Sequence, residues 1–352
     1  MCPRAHLILQ INFTSFSGGT LNTLSFILFI MLLIMEDFLF LRTSVYSVLS
    51  QREKKIKDFL TNWRPLTLLN TLYKLISGCI AERIKPALTR IVHPDQKGFV
   101  AGRYIGEAIR TTYDIMQCAK VNNLPGLLLT IDFEKAYDSI SFQFISKVLS
   151  FLNFSEDLIK WVEILLNNFI AVINHCGNIS KSFEIKRGCR QGDPIASYLF
   201  ILSIEIRAHK LRNDSNVKGF KLSDDDEEGL DEHDLQVLRH VLEIYADDLS
   251  IFMKPCSQNL RAVVGILTCF YKLSGLKISP SKTKAVWFGS KCKSDEILCP
   301  DLGLKWVHSF TLLVIDFDSS LDLMNNNFEV KIEKMQKMLS NWTYRYLTPL
   351  VK

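Results

Sequence analysis

Three acidic side chains carry the chemistry this chain could perform. Asp132 closes the apolar run LLLTIDF, and Asp247 and Asp248 lie about 115 residues further on, inside EIYADDLSIF. Carboxylates delivered by separate rigid elements are what two-metal phosphoryl transfer requires, with the ions about 4 Å apart. One ion activates the attacking hydroxyl, and the other holds a triphosphate and neutralises the leaving group. Acids placed at strand ends and turns keep their charges in water until cations arrive. Read singly, each is an ordinary turn residue. Read together, adjacent acids at a hairpin tip repel each other, where a structural turn gains more from Asn-Gly.

The elements that must position these acids follow from hydrophobic pattern. Pro125-Gly126 marks a turn into LLLTIDF, a continuous apolar run expected to be a strand buried on both faces. VLEIY and LSIFM flank Ala246-Asp247-Asp248, so a hairpin is expected there. Leu68, Leu72, Leu75, Ile76, Cys79 and Ile80 recur at helical spacing up to Pro86. Two further helices are expected on Phe142, Ile145, Leu149 and Leu152, and on Ile159, Val162, Leu166 and Phe169. Ser155 should cap the second. Residues 171–186 read as a short hairpin. Asp193-Pro194 reads as an N-cap and first-turn proline ahead of Ile195, Leu199, Leu202 and Ile206. Residues 260–274 and 328–342 return to helix, with LKISPSKTKAVWFG extended between them. The expected class is α+β, an antiparallel-rich sheet backed by helices on one face.

The formal net charge of +5 is mild, but it is unevenly spread. Residues 224–234 hold eight acids and no Lys or Arg, leaving 42 basic residues against 29 acids elsewhere, a balance of +13. That suits a polyanionic partner, and equally a basic protein with a solvated acidic loop. Nine cysteines lie scattered, without a C-x-x-C pair or zinc spacing, and read as buried thiols in a reducing compartment. The apolar run at 24–35 is short of the roughly 20 residues a spanning helix needs. It reads as a buried helix, a marginal membrane anchor or foreign sequence from a faulty gene model, the last being favoured.

IDFEKAYDS (131–139), RGCRQGDPIASYLF (187–200), YADD (245–248) and SGLKISPSKT (274–283) occur in the order found in reverse transcriptases of LINE-type, non-LTR retrotransposons. NWRPLTLLNTLYKLISGCIAERI (62–84) and PDQKGFVAGRYIGEAI (94–109) resemble that family's fingers motifs, and AVWFGS (285–290) also fits. The resemblance covers roughly residues 51–345. It implies a right-hand polymerase fingers and palm, with an antiparallel palm sheet backed by helices and a largely truncated thumb. The implied activity is RNA-directed DNA polymerase, with an RNA template, a DNA primer, dNTPs and two Mg2+ ions, Mn2+ serving as a substitute.

By that resemblance Asp132 and Asp247 would ligate both metals, Asp248 would support them, and the Phe133 carbonyl would complete the coordination. Tyr137 would stack under the sugar and exclude a 2′-hydroxyl. Gln191 and Gly192 would form the turn that lets template and incoming nucleotide approach the backbone. Arg103 and Lys97 would hold triphosphate oxygens, and Lys282, near the leaving pyrophosphate, could act as general acid. Asp193 is expected to cap a helix and do no chemistry. A core Tyr137 and an exposed Lys282 are the plainer readings of those two side chains. Lys331, Lys334 and Lys337 read as a solvated helix face, and Asp316 and Asp318 as incidental.

The implied layout is residues 1–50 as a non-family extension with the short apolar segment, 51–126 as fingers, 127–300 as palm, and 301–352 as palm end and start of the thumb. Three departures stand out. SQREKKIKDFLTNWRP is compressed, as if an apolar fingers strand before it were absent. The loop before YADD is long and acidic. FTLLVIDFD replaces a glycine-containing segment. With no endonuclease domain ahead of the fingers, a degenerate fragment is expected, intracellular (nucleus or cytoplasm) by resemblance. Two other readings stay open: an inactive nucleic-acid-binding palm remnant, and a membrane-anchored protein held by residues 24–35. Membrane association is disfavoured by the shortness of that run.

Overall fold

The computed structural model describes residues 45–51, 63–167, 169–175, 178–221, 239–318 and 320–343. The apolar run at 24–35 and the acidic loop at 224–234 lie outside the described residues. In chain order the elements are β1 (Val45–Gln51), β2 (Trp63–Leu68), α1 (Thr71–Ile91), α2 (Ile105–Val121) and β3 (Pro125–Ile131). Then come α3 (Ala136–Ser139), α4 (Phe142–Phe151), α5 (Glu156–Leu166), β4 (Phe169–His175), β5 (Asn178–Ile179), β6 (Phe183–Ile185) and α6 (Ala196–Asn213). The last third holds β7 (Phe220–Lys221), β8 (Arg239–His240), β9 (Leu242–Tyr245), β10 (Asp248–Met253), α7 (Ser257–Ser274), β11 (Lys284–Gly289), β12 (Lys305–Trp306), β13 (Phe310–Leu312), β14 (Ile315–Phe317) and α8 (Val330–Thr343). Helices with antiparallel-rich sheets make this the expected α+β class.

The chain divides into two compact units, Met1–Ile91 with Tyr137–Ser203, and Val92–Ala136 with Ile204–Lys352. Each is therefore assembled from two stretches, and one crossing falls inside α6. A linear division at 126/127 does not coincide with these boundaries.

The first unit carries a five-stranded sheet. β1 pairs antiparallel with β2, Gln51 opposite Trp63, and parallel with β4, Val45 opposite Ala171. The compressed segment before Asn62-Trp63 is thus not missing its strand. VYSVLSQ supplies it, with β-branched and aromatic residues suited to a pleated surface. It falls mostly within residues that sequence reading assigned to a foreign extension. The hairpin expected in 171–186 forms from β4 with β5 and β6. α1 runs through Pro86 to Ile91 rather than stopping before it. Burial on both sides of the proline, at Ile84 and Leu88, outweighs the lost backbone hydrogen bond. Its buried face is Tyr73, Ile76, Ser77, Ile80 and Ile84, whereas Leu75 is exposed and Leu68 belongs to β2. Ser155 caps α5 as expected, accepting from the Leu158 N–H.

The second unit is built on the sheet β12-β11-β3-β10-β9. β3 runs antiparallel to both neighbours, and its Leu127, Leu128 and Leu129 are fully buried, as a two-faced strand requires. Each such side chain contributes roughly 1.5–3 kcal/mol of burial. One face packs on Ile115, Met116 and Ala119 of α2, with Phe252, Phe288, Phe310 and Phe317 in the same core. Among the described residues no helix is long and apolar enough to cross a membrane. Their cysteines are all free, but only Cys189 and Cys299 are buried, so the expectation of generally buried thiols is corrected.

Candidate active site

The sheet of the second unit brings the acids together. Leu249 of β10 lies opposite Ile131 of β3, so Asp248 and Asp132, one residue beyond on each strand, leave the same end of neighbouring strands. Such strands run about 4.8 Å apart. Asp248 also pairs with Tyr245 of β9, which leaves Ala246-Asp247 as a two-residue turn at that end. Ala246 takes φ of +54°, a conformation that costs an L residue roughly 1–2 kcal/mol.

Burial pushes the Asp248 carboxyl up to about 6, helped by repulsion from Asp247 and Asp132. Asp248 therefore feels both of the other acids. Among the described residues, however, no three His, Cys, Asp or Glu side chains gather as a ready-made metal-binding group. Hard carboxylate oxygens on strand ends suit Mg2+ or Mn2+, and the repulsion raising Asp248 is what a divalent cation would relieve.

The backbone beyond β3 is fixed by the segment after α7. Ser279 N–H donates to the Asp132 carbonyl at 2.9 Å, and Glu134 N–H donates to that of Lys277 at 2.9 Å. These two bonds flank Phe133, which bridges Ile278, and use the carbonyl of Asp132 rather than that of Phe133. Lys282 Nζ sits 3.4 Å from Asp132 Oδ1 with both side chains about half exposed. Lys282 is thus beside the carboxylates, but the pairing is a weak surface one.

Two expected residues have other work. Arg103 donates to the backbone carbonyls of Val92, His93 and Gln96 at 2.6–2.9 Å. It clamps its own loop through these three bonds. Lys97 Nζ, largely enclosed, lies 3.6 Å from Glu107 Oε2. Its charge is likewise answered within the protein.

Three residues that sequence reasoning passed over shape this site. The segment 95–97 lies along β9 through Lys97 N–H to the Ile244 carbonyl, 2.8 Å, and Ile244 N–H to the Asp95 carbonyl, 3.0 Å. Gln96 is 1% exposed, and its amide oxygen accepts from both Ala246 and Gly98 N–H. A Cβ at Gly98 would stand 2.6 Å from the Ala246 nitrogen, so only glycine allows this approach. Beneath, Arg207 is fully enclosed with its guanidinium over the Phe133 ring at 4.5 Å. Burial lowers its pKa to about 9, opposed by Glu205 and Asp247. The available signals were a glutamine beside the chosen Lys97 and a lone arginine in an apolar helix run.

Tyr137, Gln191 and Gly192 belong to the first unit. The Tyr137 ring stacks on Phe200, centroids 4.3 Å apart, and its carbonyl accepts the Cys189 N–H. Gly192 takes φ of +95°, so the Gln191-Gly192 turn needs glycine there. Asp193 does more than cap. It accepts from Tyr73 Oη at 2.8 Å, from Ser77 Oγ and from Ile195 N–H, while α6 itself begins only at Ala196. Arg190 lies 3.8 Å from that carboxylate, donates to Tyr73 and to the carbonyls of Leu165 and Leu166, and covers the Phe169 ring. Asp316 and Asp318 serve local turns, accepting from Thr311 and from Ser320.

Comparison with known proteins agrees with this geometry. The family model described as reverse transcriptase (RNA-dependent DNA polymerase) matches residues 52–315. The chain is 29% identical over 229 residues to an uncharacterized 149 kDa protein of transposon TX1 from Xenopus laevis, covering 65% of this chain and 16% of that protein. It is 23% identical over 229 residues to the retrovirus-related Pol polyprotein of type-1 retrotransposable element R2 from Popillia japonica, covering 64% and 30%. It therefore spans less than a third of the length of either relative. Telomerase from Candida albicans, solved with a fragment of telomeric RNA, shares the fold at a TM-score of 0.52 and 11% identity, over 80% of this chain and 45% of that one. Telomerase from Candida tropicalis gives 0.52 and 11% over 83% and 47%.

Proposed function

Since the chain belongs to the reverse transcriptase family, in its LINE-type branch, we propose that it extends a DNA primer on an RNA template using dNTPs and two divalent cations. The observation that carries this is the pairing of β3 with β10. It places Asp132 and Asp248 at one end of adjacent strands, with Asp247 in the turn between β9 and β10. Rigid strands fix the carboxylates without reorganisation at the moment of reaction.

Asp132 and Asp247 would hold both Mg2+ ions, with Asp248 and the Phe133 carbonyl in support. The bound cations would make the primer 3′-hydroxyl nucleophilic and offset charge on the leaving pyrophosphate. Lys282, already beside Asp132, would exchange that partner for a phosphate oxygen and donate a proton to the leaving group. Tyr137, with its ring held flat against Phe200, would bar a 2′-hydroxyl, and the Gln191-Gly192 turn would admit the nucleotide to the backbone.

Primer extension with Mg2+ or Mn2+ tests the reading. Extension by the folded chain that disappears in Asp247→Asn supports it. Absence of extension with both ions, alongside salt-sensitive RNA binding indifferent to Asp247→Asn, would identify an inactive nucleic-acid binder instead.

A further inference from the structure

The turn Arg190-Gln191-Gly192-Asp193, in the first unit, is closed by the Asp193 N–H donating to the Arg190 carbonyl at 3.2 Å. Its third residue, Gly192, has the positive φ that a type II turn asks of that place. A Cβ there would meet the Thr67 carbonyl at an ordinary 3.4 Å, so the dihedral and not crowding calls for glycine. Gln191 is partly exposed and Gly192 exposed, whereas the residues at both ends are enclosed. Each end is pinned through its own side chain. Arg190 donates to the Leu165 and Leu166 carbonyls at 3.0 and 3.1 Å and lies over the Phe169 ring at 3.4 Å. Asp193 accepts from Ser77 Oγ and from the Ile195 N–H. The Tyr73 hydroxyl joins the two ends. It accepts from Arg190 Nη1 at 2.6 Å and donates to Asp193 Oδ2 at 2.8 Å.

An enclosed cation and anion stabilise a fold no better than well-packed apolar side chains of the same volume. Their hydrogen bonds do impose one geometry, and here it falls on two residues that stay open to solvent. We propose that Tyr73, Arg190 and Asp193 are positioning residues, fixing the Gln191-Gly192 turn where an incoming nucleotide meets its backbone and so setting the KM for dNTPs. The Tyr73 hydroxyl is the pin. Without it Arg190 and Asp193 lose their shared partner, while Arg190 keeps two carbonyls and Asp193 keeps Ser77 and Ile195. The fold survives and the turn shifts. The inference rests on reading the chain as a polymerase with Gln191-Gly192 as its nucleotide turn.

The test is primer extension by the full chain over a range of dNTP concentrations, at a temperature where circular dichroism shows every variant folded. Tyr73→Phe and Ser77→Ala should each raise KM for dNTP roughly tenfold and leave kcat within about twofold of native. Either variant suffices should the other not fold. Ile145→Val, an enclosed substitution on α4 of comparable cost, should keep both native constants, which separates positioning from lost stability. A native KM in folded Tyr73→Phe and Ser77→Ala overturns the positioning role and leaves the polymerase reading intact. An equal rise in Ile145→Val overturns it too, as a general effect of instability. No extension by the native chain removes the polymerase reading, and the positioning role with it.

Discussion

The amide oxygen of Gln96 accepts the backbone N–H of Ala246 at 2.9 Å, tying a residue before α2 to the turn that carries Asp247. The same oxygen accepts the Gly98 N–H at 2.8 Å. The turn therefore depends on a side chain about 150 positions away. Gln96→Ala should leave two enclosed N–H groups unanswered and destabilise the fold by about 1–3 kcal/mol. Primer extension should fall at least tenfold even at temperatures where the variant is fully folded. Gly98→Ala should reproduce the loss, since its Cβ would collide with the Ala246 nitrogen. Native extension by folded Gln96→Ala would show that the turn holds itself.

The raised Asp248 carboxyl makes stability depend on pH in a particular window. The folded group ionises near 6 and the unfolded one near the ordinary 3.8, so the folded state holds the extra proton between those values. Ionisation above that range weakens the fold. In the presence of EDTA, Asp248→Asn should raise stability by about 1–2 kcal/mol at pH 7, two pKa units discounted for partial solvent access. The gain should shrink from pH 6 downward and vanish below about pH 4. Parallel melting curves across pH 4–8 would contradict this.

The β13–β14 hairpin turns through Leu313 and Val314 at φ of +49° and +74°. Val314 is 73% exposed, so nothing in the core demands its side chain. A β-branched residue in that region is strained, and two-residue hairpins favour Asn-Gly. Val314→Gly, which keeps the core-packed Leu313, should stabilise the chain by about 1 kcal/mol without affecting cation binding. Urea denaturation should show a higher midpoint at unchanged slope.

Arg190 and Asp193 form an enclosed pair braced by Tyr73 and Ser77. Asp193→Ala leaves the guanidinium without its counter-ion and should destabilise by about 3–5 kcal/mol, close to unfolding at 37 °C. Tyr73→Phe removes one hydrogen bond from the same carboxylate and should cost about 1–2 kcal/mol. A mild effect of Asp193→Ala would show that helix capping alone accounts for that acid.

Local pattern made much of this legible. The two-faced strand at 125–131, the hairpin around Ala246-Asp247, the Ser155 cap and the helix at 142–151 are each specified by residues within a few positions of one another. The strand at 45–51 escaped because its partners are remote. Val45–Gln51 earns its place by pairing with 63–68 and 171–174, and a short apolar stretch beside unfamiliar sequence carries no sign of that. Pro86 misled for a related reason, since long-range burial of Ile84 and Leu88 outweighs a local helix breaker.

By itself the sequence determined on which strand ends the three acids stand, because residue type and hydrophobic pattern are local properties. Only the tertiary structure decided how charged and polar side chains are answered. Arg103 closes its own loop, Lys97 faces Glu107, Gln96 holds Ala246, and Arg207 lies unpaired beneath Phe133. Hydrogen bonds and Coulomb interactions depend on distance in space, and spacing along the chain does not encode which polar group meets which.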